Sequence, residues 1–338
     1  MASLLDRQLS DPCGKEGTVR QLSTETYSEL KHVFERLQCV QTMTSEPDMH
    51  RGTSSPQSLS DQQFLQWQSL LEERTGMFIN IYHRSLLESN LIIRMREIDC
   101  ADFAEYYEKV CSKPDGIVEW NILLDRVMVQ ETRFYRNPES LMLFSTHLAS
   151  LLQANKLKKE SRPFNIWSVG CSSGEEPYTL AILCQEVLNK THSANSFGIT
   201  ATDISLPVLA KAREGIYNAR KLLDLKSELI DKYFNALEGN KFQVNDALKK
   251  KVCFSMANLI DIQKSPVRNM DVIYCQNVLI YFRKECKHII LDNLVERLSP
   301  GGLLILGQGE ALGWYNDRVT RVADNQTLAY IRQHTQEH

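Results

Sequence analysis

Two adjacent carboxylates, Glu175 and Glu176, stand near the end of the run Trp167-Ser-Val-Gly-Cys-Ser-Ser-Gly-Glu-Glu-Pro-Tyr178. An apolar strand runs into a small-residue turn, and a helix starts at once. Pro177 suits the first helical turn, where its missing N–H costs nothing. Gly170 and Gly174 let the backbone come close to a ligand. A phosphate site would set Lys or bare N–H groups at this helix mouth. Two acids repel phosphate and favour a cation or a hydroxyl-rich ligand. S-adenosylmethionine meets that condition, because it carries an ammonium and a sulfonium and no phosphate. From this run alone, a helix whose acids only complement its dipole reads equally well.

Other residues that could do chemistry follow further apolar runs. Asp203, in Thr202-Asp-Ile204, stands about 30 residues beyond the glycine turn, where a Rossmann-like site holds ribose hydroxyls; it reads also as a helix cap. Asn258 and Leu259 can offer amide groups to an adenine edge. Gln276-Asn-Val-Leu-Ile-Tyr-Phe282 places Asn277 at the ligand edge, and Tyr281 either reaches the reacting centre or packs. Gly307-Gln-Gly-Glu310 follows one more run. Upstream, Gln130-Glu-Thr-Arg-Phe-Tyr-Arg-Asn-Pro138 sets arginines among aromatics just before a proline. Arg136 matters if it faces the cleft, since guanidinium grips carboxylate in a bidentate way. Cys171 reads as a small packing residue, with no His near it in sequence to make it a nucleophile.

These residues need a frame. Residues 1–60 look peripheral: Glu25 to Val40 has Tyr27, Leu30, Val33, Phe34 and Leu37 at helical spacing, and Thr42 to Ser60 is a polar linker. Ser60-Asp61 marks a helix start. Helical patterning then continues to about Ala154, with Phe64, Trp67, Leu70 and Leu71 lining one face. From Arg162 the period changes. Strands are predicted at Asn165–Val169, Phe197–Thr202, Val252–Met256, Asp271–Cys275 and Leu303–Leu306. Helices are predicted at Tyr178–Leu188, Pro207–Glu214 and Lys284–Leu298. That alternation means a mostly parallel sheet with helices on both faces. Thr327–Ile331 is an expected last strand, antiparallel and at or near the edge. Ligands bind at the carboxyl ends of such strands. The domains are therefore expected at 1–60, 61–154 and 155–338.

The whole chain sets outer limits. Its 338 residues exceed a usual single domain, and 43% hydrophobic content supports a proper core. A net charge of −3 gives no basic field for nucleic acid. There is no apolar run long enough for a membrane span, and the first residues lack the layout of a signal peptide. Nine cysteines contain no C-x-x-C pair, so no metal site is expected, and they read as reduced cytoplasmic thiols.

Taken in order, the motifs resemble the CheR-type methyltransferases, which methylate glutamates of chemotaxis receptors. Glu131 to Pro138, Trp167 to Tyr178, Ala201 to Ile204, Leu209 to Tyr217, Asn277 to Phe282 and Gly301 to Glu310 carry the resemblance. Weaker matches lie at Glu73–Met77, Leu91–Arg96 and Phe103–Tyr106. The resemblance implies an α/β fold: a small all-helical N-terminal domain, then a Rossmann-like class I S-adenosylmethionine methyltransferase domain with a small β-subdomain. It implies a cofactor site made by Gln130, Thr132, Arg136, Gly170, Glu175, Asp203, Asn258, Leu259, Gln276 and Asn277. Glu175 would meet the methionine end of the cofactor, and Asp203 the ribose. Arg136 and Tyr281 would act at the reacting centre, leaving S-adenosylhomocysteine as the product. A monomer is expected, binding the helical bundle of a receptor through Arg84, Arg94 and Arg96. The same fold could serve another methyl acceptor or a non-catalytic binding module. Three departures stand out: Gln276 where the family usually has Arg, Asn90 in place of a further Arg, and a short segment from Phe234 to Val252.

Overall fold

The computed structural model describes residues 58–128, 131–158, 162–323 and 326–334. The helix expected at Glu25–Val40, most of the linker and Gln130 lie outside these residues.

The first described unit is helical. It comprises α1 (Asp61–Thr75), α2 (Arg84–Glu97), α3 (Phe103–Cys111) and α4 (Asp115–Val127). Ser60 starts α1 with a reciprocal cap: its hydroxyl accepts from Gln63 N at 3.2 Å, and Gln63 Oε1 accepts from Ser60 N at 3.0 Å. Phe64, Trp67 and Leu71 recur at helical spacing and face Leu87, Leu91, Phe103, Tyr106 and Leu123. Each large side chain buried there contributes about 1.5–3 kcal/mol. Leu59, just ahead of α1, is completely buried in the same cluster.

A further helix, α5 (Pro138–Lys158), contains the boundary expected at residue 154. Its Leu141, Phe144, Leu148 and Leu152 pack into the core of the sheet that follows. The main sheet has seven strands: β1 (Phe164–Val169), β2 (Phe197–Asp203), β6 (Val252–Met256), β7 (Met270–Cys275), β8 (Leu298–Leu306), β9 (Val319–Arg321) and β10 (Leu328–Arg332). Their order is β6-β2-β1-β7-β8-β10-β9, and the first five are parallel. β10 is antiparallel to β8, as expected, but β9 pairs beyond it and forms the edge. Three residues are too few for β9 to show an alternation.

Helices cover both faces, as the alternating pattern requires. On one side Ile166, Tyr274 and Ile305 meet α5 and α6 (Glu175–Lys190). On the other, Trp167, Ile273 and Leu304 meet α10 (Lys284–Arg297). The chain leaves β2 into α7 (Leu206–Glu214), then builds a small antiparallel sheet. Its order is β3-β5-β4, from β3 (Ile216–Asn218), β4 (Phe234–Leu237) and β5 (Lys241–Val244), with α8 (Ser227–Tyr233) between β3 and β4 and α9 (Asp246–Lys249) after β5. This is the expected β-subdomain.

β1 pairs β2 on one side and β7 on the other, so the strand order reverses between β1 and β7. Ligands of open α/β sheets bind at such a reversal. Val169 is level with Thr202, and Cys275 with Leu306. The segments after these strands therefore emerge along one edge.

Candidate active site: a cofactor cleft and an arginine chamber

Two chambers open at the strand reversal. Gly170, Ser172 and Asn277 line both. The first is a cleft open to solvent, enclosing about 690 Å³ of free space. Asp203, Asn258, Leu259, Val278 and Tyr281 help to line it. Its lining holds the Asp203 carboxylate and no Lys or Arg, which suits a phosphate-free ligand.

Asp203 Oδ2 accepts from Ser172 N at 2.8 Å, and Oδ1 accepts from Ser205 N at 3.0 Å. Each oxygen retains capacity for a ligand hydroxyl. Burial pushes its pKa up, against the backbone N–H groups that favour the charged form. Ser205, not Asp203, is the N-cap of α7. Asn258 has its side chain committed elsewhere: Nδ2 donates to the Arg74 carbonyl at 2.8 Å, and Oδ1 accepts from Ile260 N at 3.3 Å. Its contribution to the wall comes with a tie to the end of α1. Gly170 adopts φ 69°, and a Cβ there would lie 2.3 Å from a Val278 methyl. Glycine is required for that approach between the ends of β1 and β7.

The second chamber is lined by Thr132, Arg136, Glu176 and Gln276, among others. Arg136 Nη1 donates to the Glu131 carbonyl at 2.8 Å, which anchors one edge of the guanidinium. Glu176 accepts from Ser168 Oγ at 2.7 Å. Burial pushes its carboxyl up to about 8, opposed by the Ser168 hydroxyl and by the charge of Arg136. Glu175 points elsewhere. It is completely buried, accepts from Ser173 Oγ at 2.7 Å and meets Lys221 Nζ at 3.0 Å. Lys221 also donates to the Thr132 carbonyl at 2.6 Å. Successive helical residues do not share a face, so only Glu176 of the adjacent acids lines a chamber.

The segment after β7 is held from two sides. Gln276 accepts from Asn137 Nδ2 at 2.6 Å and from the Tyr274 hydroxyl at 3.0 Å, and donates to the Leu306 carbonyl at 3.1 Å. Asn277 takes a left-handed backbone, φ 61°, a conformation Asn tolerates better than most residues. Glu310 holds the rest. Its Oε1 accepts from Val278 N at 2.9 Å and Leu279 N at 2.8 Å, and Oε2 accepts from Gly307 N at 2.6 Å. The sequence had a signal for Glu310, an acid in a small-residue turn after β8, but the role needed the fold. Burial raises the Tyr281 phenol, against the charge of Arg136, so it stays protonated and can donate. The Tyr281 carbonyl accepts from Phe78 N at 2.8 Å, and Met77 bridges Phe282, so the end of α1 closes over this loop.

Of the residues expected at the site, Gly170, Asp203, Asn258, Leu259, Asn277 and Tyr281 line the first chamber. Thr132, Gly170, Arg136, Gln276 and Asn277 line the second. Glu175 lines neither, and Gln130 is outside the described residues. No group of side chains among the described residues could hold a metal ion.

The basic face expected on the helical domain is corrected in two of its three arginines. Arg94 is 7% exposed and grips Glu119 with two bonds, Nε to Oε1 at 2.7 Å and Nη2 to Oε2 at 2.8 Å. Tyr106 also donates to Glu119 at 2.7 Å. Burial alone would raise the Glu119 carboxyl, but these hydrogen bonds hold it below its ordinary value. Arg84 binds Asp61 at 2.5 Å and the Leu59 carbonyl, fastening the start of α1. Arg96 is exposed. Leu86 and Ile93 of α2 are exposed as well, each nearly half.

Residues 130–328 match the CheR methyltransferase, SAM binding domain family, and residues 62–128 match the CheR methyltransferase, all-alpha domain. A chemotaxis protein methyltransferase of Borreliella burgdorferi is 32% identical over 237 residues, 70% of this chain and 83% of the relative. Those of Vibrio parahaemolyticus and Escherichia coli are 30% and 29% identical, over 81% and 78% of this chain and 98% and 89% of theirs. The chain belongs to the CheR methyltransferase family, and S-adenosylmethionine is its cofactor. No described helix is long and apolar enough to cross a membrane.

Proposed function

We propose that the chain transfers a methyl group to glutamate carboxylates on the cytoplasmic helical bundle of chemotaxis-type receptors, forming methyl esters. The observation that carries the reading is Arg136, a cation lining a chamber that joins the cofactor cleft at Gly170, Ser172 and Asn277. The names of the relatives favour a chemotaxis protein as the acceptor.

Asp203 would hold the cofactor's ribose hydroxyls, and Glu176 its ammonium. When bound, S-adenosylmethionine supplies an electrophilic methyl on a sulfonium. A glutamate side chain is already ionised at neutral pH, so no general base is needed. Arg136 would orient that carboxylate with part of its donor set, the rest being tied to the Glu131 carbonyl. Partial engagement suits the reaction, because charge leaves the attacking oxygen in the transition state and a tight grip on both oxygens would favour the ground state. Tyr281, protonated, would donate a hydrogen bond near the reacting atoms. Met77, Val278 and Phe282 line the cleft with apolar surface and exclude water there. The rate would come from alignment and desolvation.

Incubation with methyl-labelled S-adenosylmethionine and receptor cytoplasmic fragments tests this. Label released by mild base marks a carboxyl ester. Base-stable label, on nitrogen or a thioether, overturns the glutamate assignment.

A further inference from the structure

A third cavity, with an open volume of about 690 Å³, adjoins the arginine chamber. Asn137, Gln276 and Asn277 form a wall common to both. Gln308 and Thr327 also line this cavity. Thr327 is 3% exposed, and its Oγ1 has no hydrogen-bond partner. Buried hydroxyls are normally paired, so this one marks an unmet polar position. Gln276 is pinned as described, and Gln308 Nε2 donates to the Gln326 carbonyl at 2.6 Å. Glu139 and Glu310 line it too, and no Lys or Arg does. A second carboxylate would meet repulsion there. An uncharged group that both donates and accepts would not.

We propose that this cavity is a specificity subsite for a carboxamide side chain of the protein substrate, beside the glutamate that is methylated. The inference rests on the protein-carboxylate reading above. Residues three or four apart on a helix have Cβ atoms roughly 5–6 Å apart. A glutamine one turn from the acceptor can therefore enter a cavity that shares a wall with the acceptor's chamber. The Thr327 hydroxyl donates to its amide oxygen or accepts from its nitrogen.

The test uses helical receptor-type fragments identical except for Gln, Ala or Glu placed one turn before or after the acceptor. The readout is kcat/KM for base-labile methylation. On one side of the acceptor, Gln should exceed Ala by about 2- to 12-fold, the range of one neutral hydrogen bond, and Glu should fall below Ala. Thr327→Val should bring the Gln-to-Ala ratio to about one, and Thr327→Ser, which keeps the hydroxyl, should preserve it. A ratio near one in the parent protein, or a ratio unchanged in Thr327→Val, overturns the subsite while leaving the ester chemistry standing. Absence of ester on every fragment overturns the proposed function and the subsite with it.

Discussion

Glu176→Gln should uncouple cofactor binding from pH. In the open chamber burial pushes this carboxyl up to about 8, so at pH 7 it is about 90% protonated. A ligand ammonium beside it favours the ionised form, and binding must then expel a proton. The dissociation constant carries a factor 1 + 10^(8 − pH) while the bound carboxyl stays ionised, so it falls about ninefold from pH 6 to 7 and about fivefold more by pH 8. The total is roughly 50-fold, or about 2.3 kcal/mol, and the curve levels off above pH 8. Calorimetry with S-adenosylhomocysteine, in buffers of different ionisation heat, should count about 0.9 proton released at pH 7 and about 0.5 at pH 8. Any titration of the ligand's own amine is common to parent and variant and drops out of their ratio. Glu175→Gln should keep the parent's slope, because Glu175 is sealed against Lys221. Stability offers a second readout. A carboxyl raised on folding favours the folded state at low pH, and that contribution is lost as pH rises from the unfolded value through about 8. Unliganded Glu176→Gln should therefore melt above the parent at pH 9, with a difference that shrinks by pH 5. Parallel affinity curves for parent and Glu176→Gln between pH 6 and 8 would refute the assignment.

Asp203→Ala should weaken S-adenosylhomocysteine binding by about 1.5–3 kcal/mol, the worth of a charge-assisted hydrogen bond, as read by calorimetry on the folded variant. Arg136→Ala should slow transfer far more than it weakens cofactor binding; equal losses in the two assays would make Arg136 a cofactor or folding residue instead. Arg94→Ala should destabilise the helical domain by about 3–5 kcal/mol in denaturant melts, because Glu119 is left charged and buried, whereas Arg96→Ala should stay within about 0.5 kcal/mol of the parent.

Much of this site was legible because strand ends announce themselves. The turn after β1, Asp203 at the end of β2 and Asn277 after β7 each close an apolar run, and the parallel order brings them to one edge. What stayed hidden depended on side-chain direction. Glu175 and Glu176 are equivalent in sequence, and only the phase of α6 sends one into the chamber and the other towards Lys221, which lies on the segment after β3. Arg94 and Arg96 look equally available on a helical wheel, yet Arg94 faces Glu119 on another helix, a long-range partner that no local period reveals. β9 escaped because three residues carry no pattern. Glu310 escaped because its partners are backbone N–H groups, which leave no trace in a sequence.

Gln276 stands where the resemblance to the family implies an arginine. The residue is 9% exposed and shares its chamber with Arg136. An arginine there would bring a second cation, whose charge must be matched by a ligand or a buried acid. Glutamine satisfies the same neighbourhood without charge, taking hydrogen bonds from Asn137 and Tyr274 and giving one to Leu306. Asn137 follows Arg136 directly, so this amide pair fixes the segment that carries the guanidinium to the end of β7. The substitution thus leaves Arg136 as the positioned cation and removes a competing charge. On the proposed reading, it bears on how Arg136 holds the acceptor carboxylate. On α2, Arg94 and Arg84 are spent within the fold and Leu86 and Ile93 are exposed.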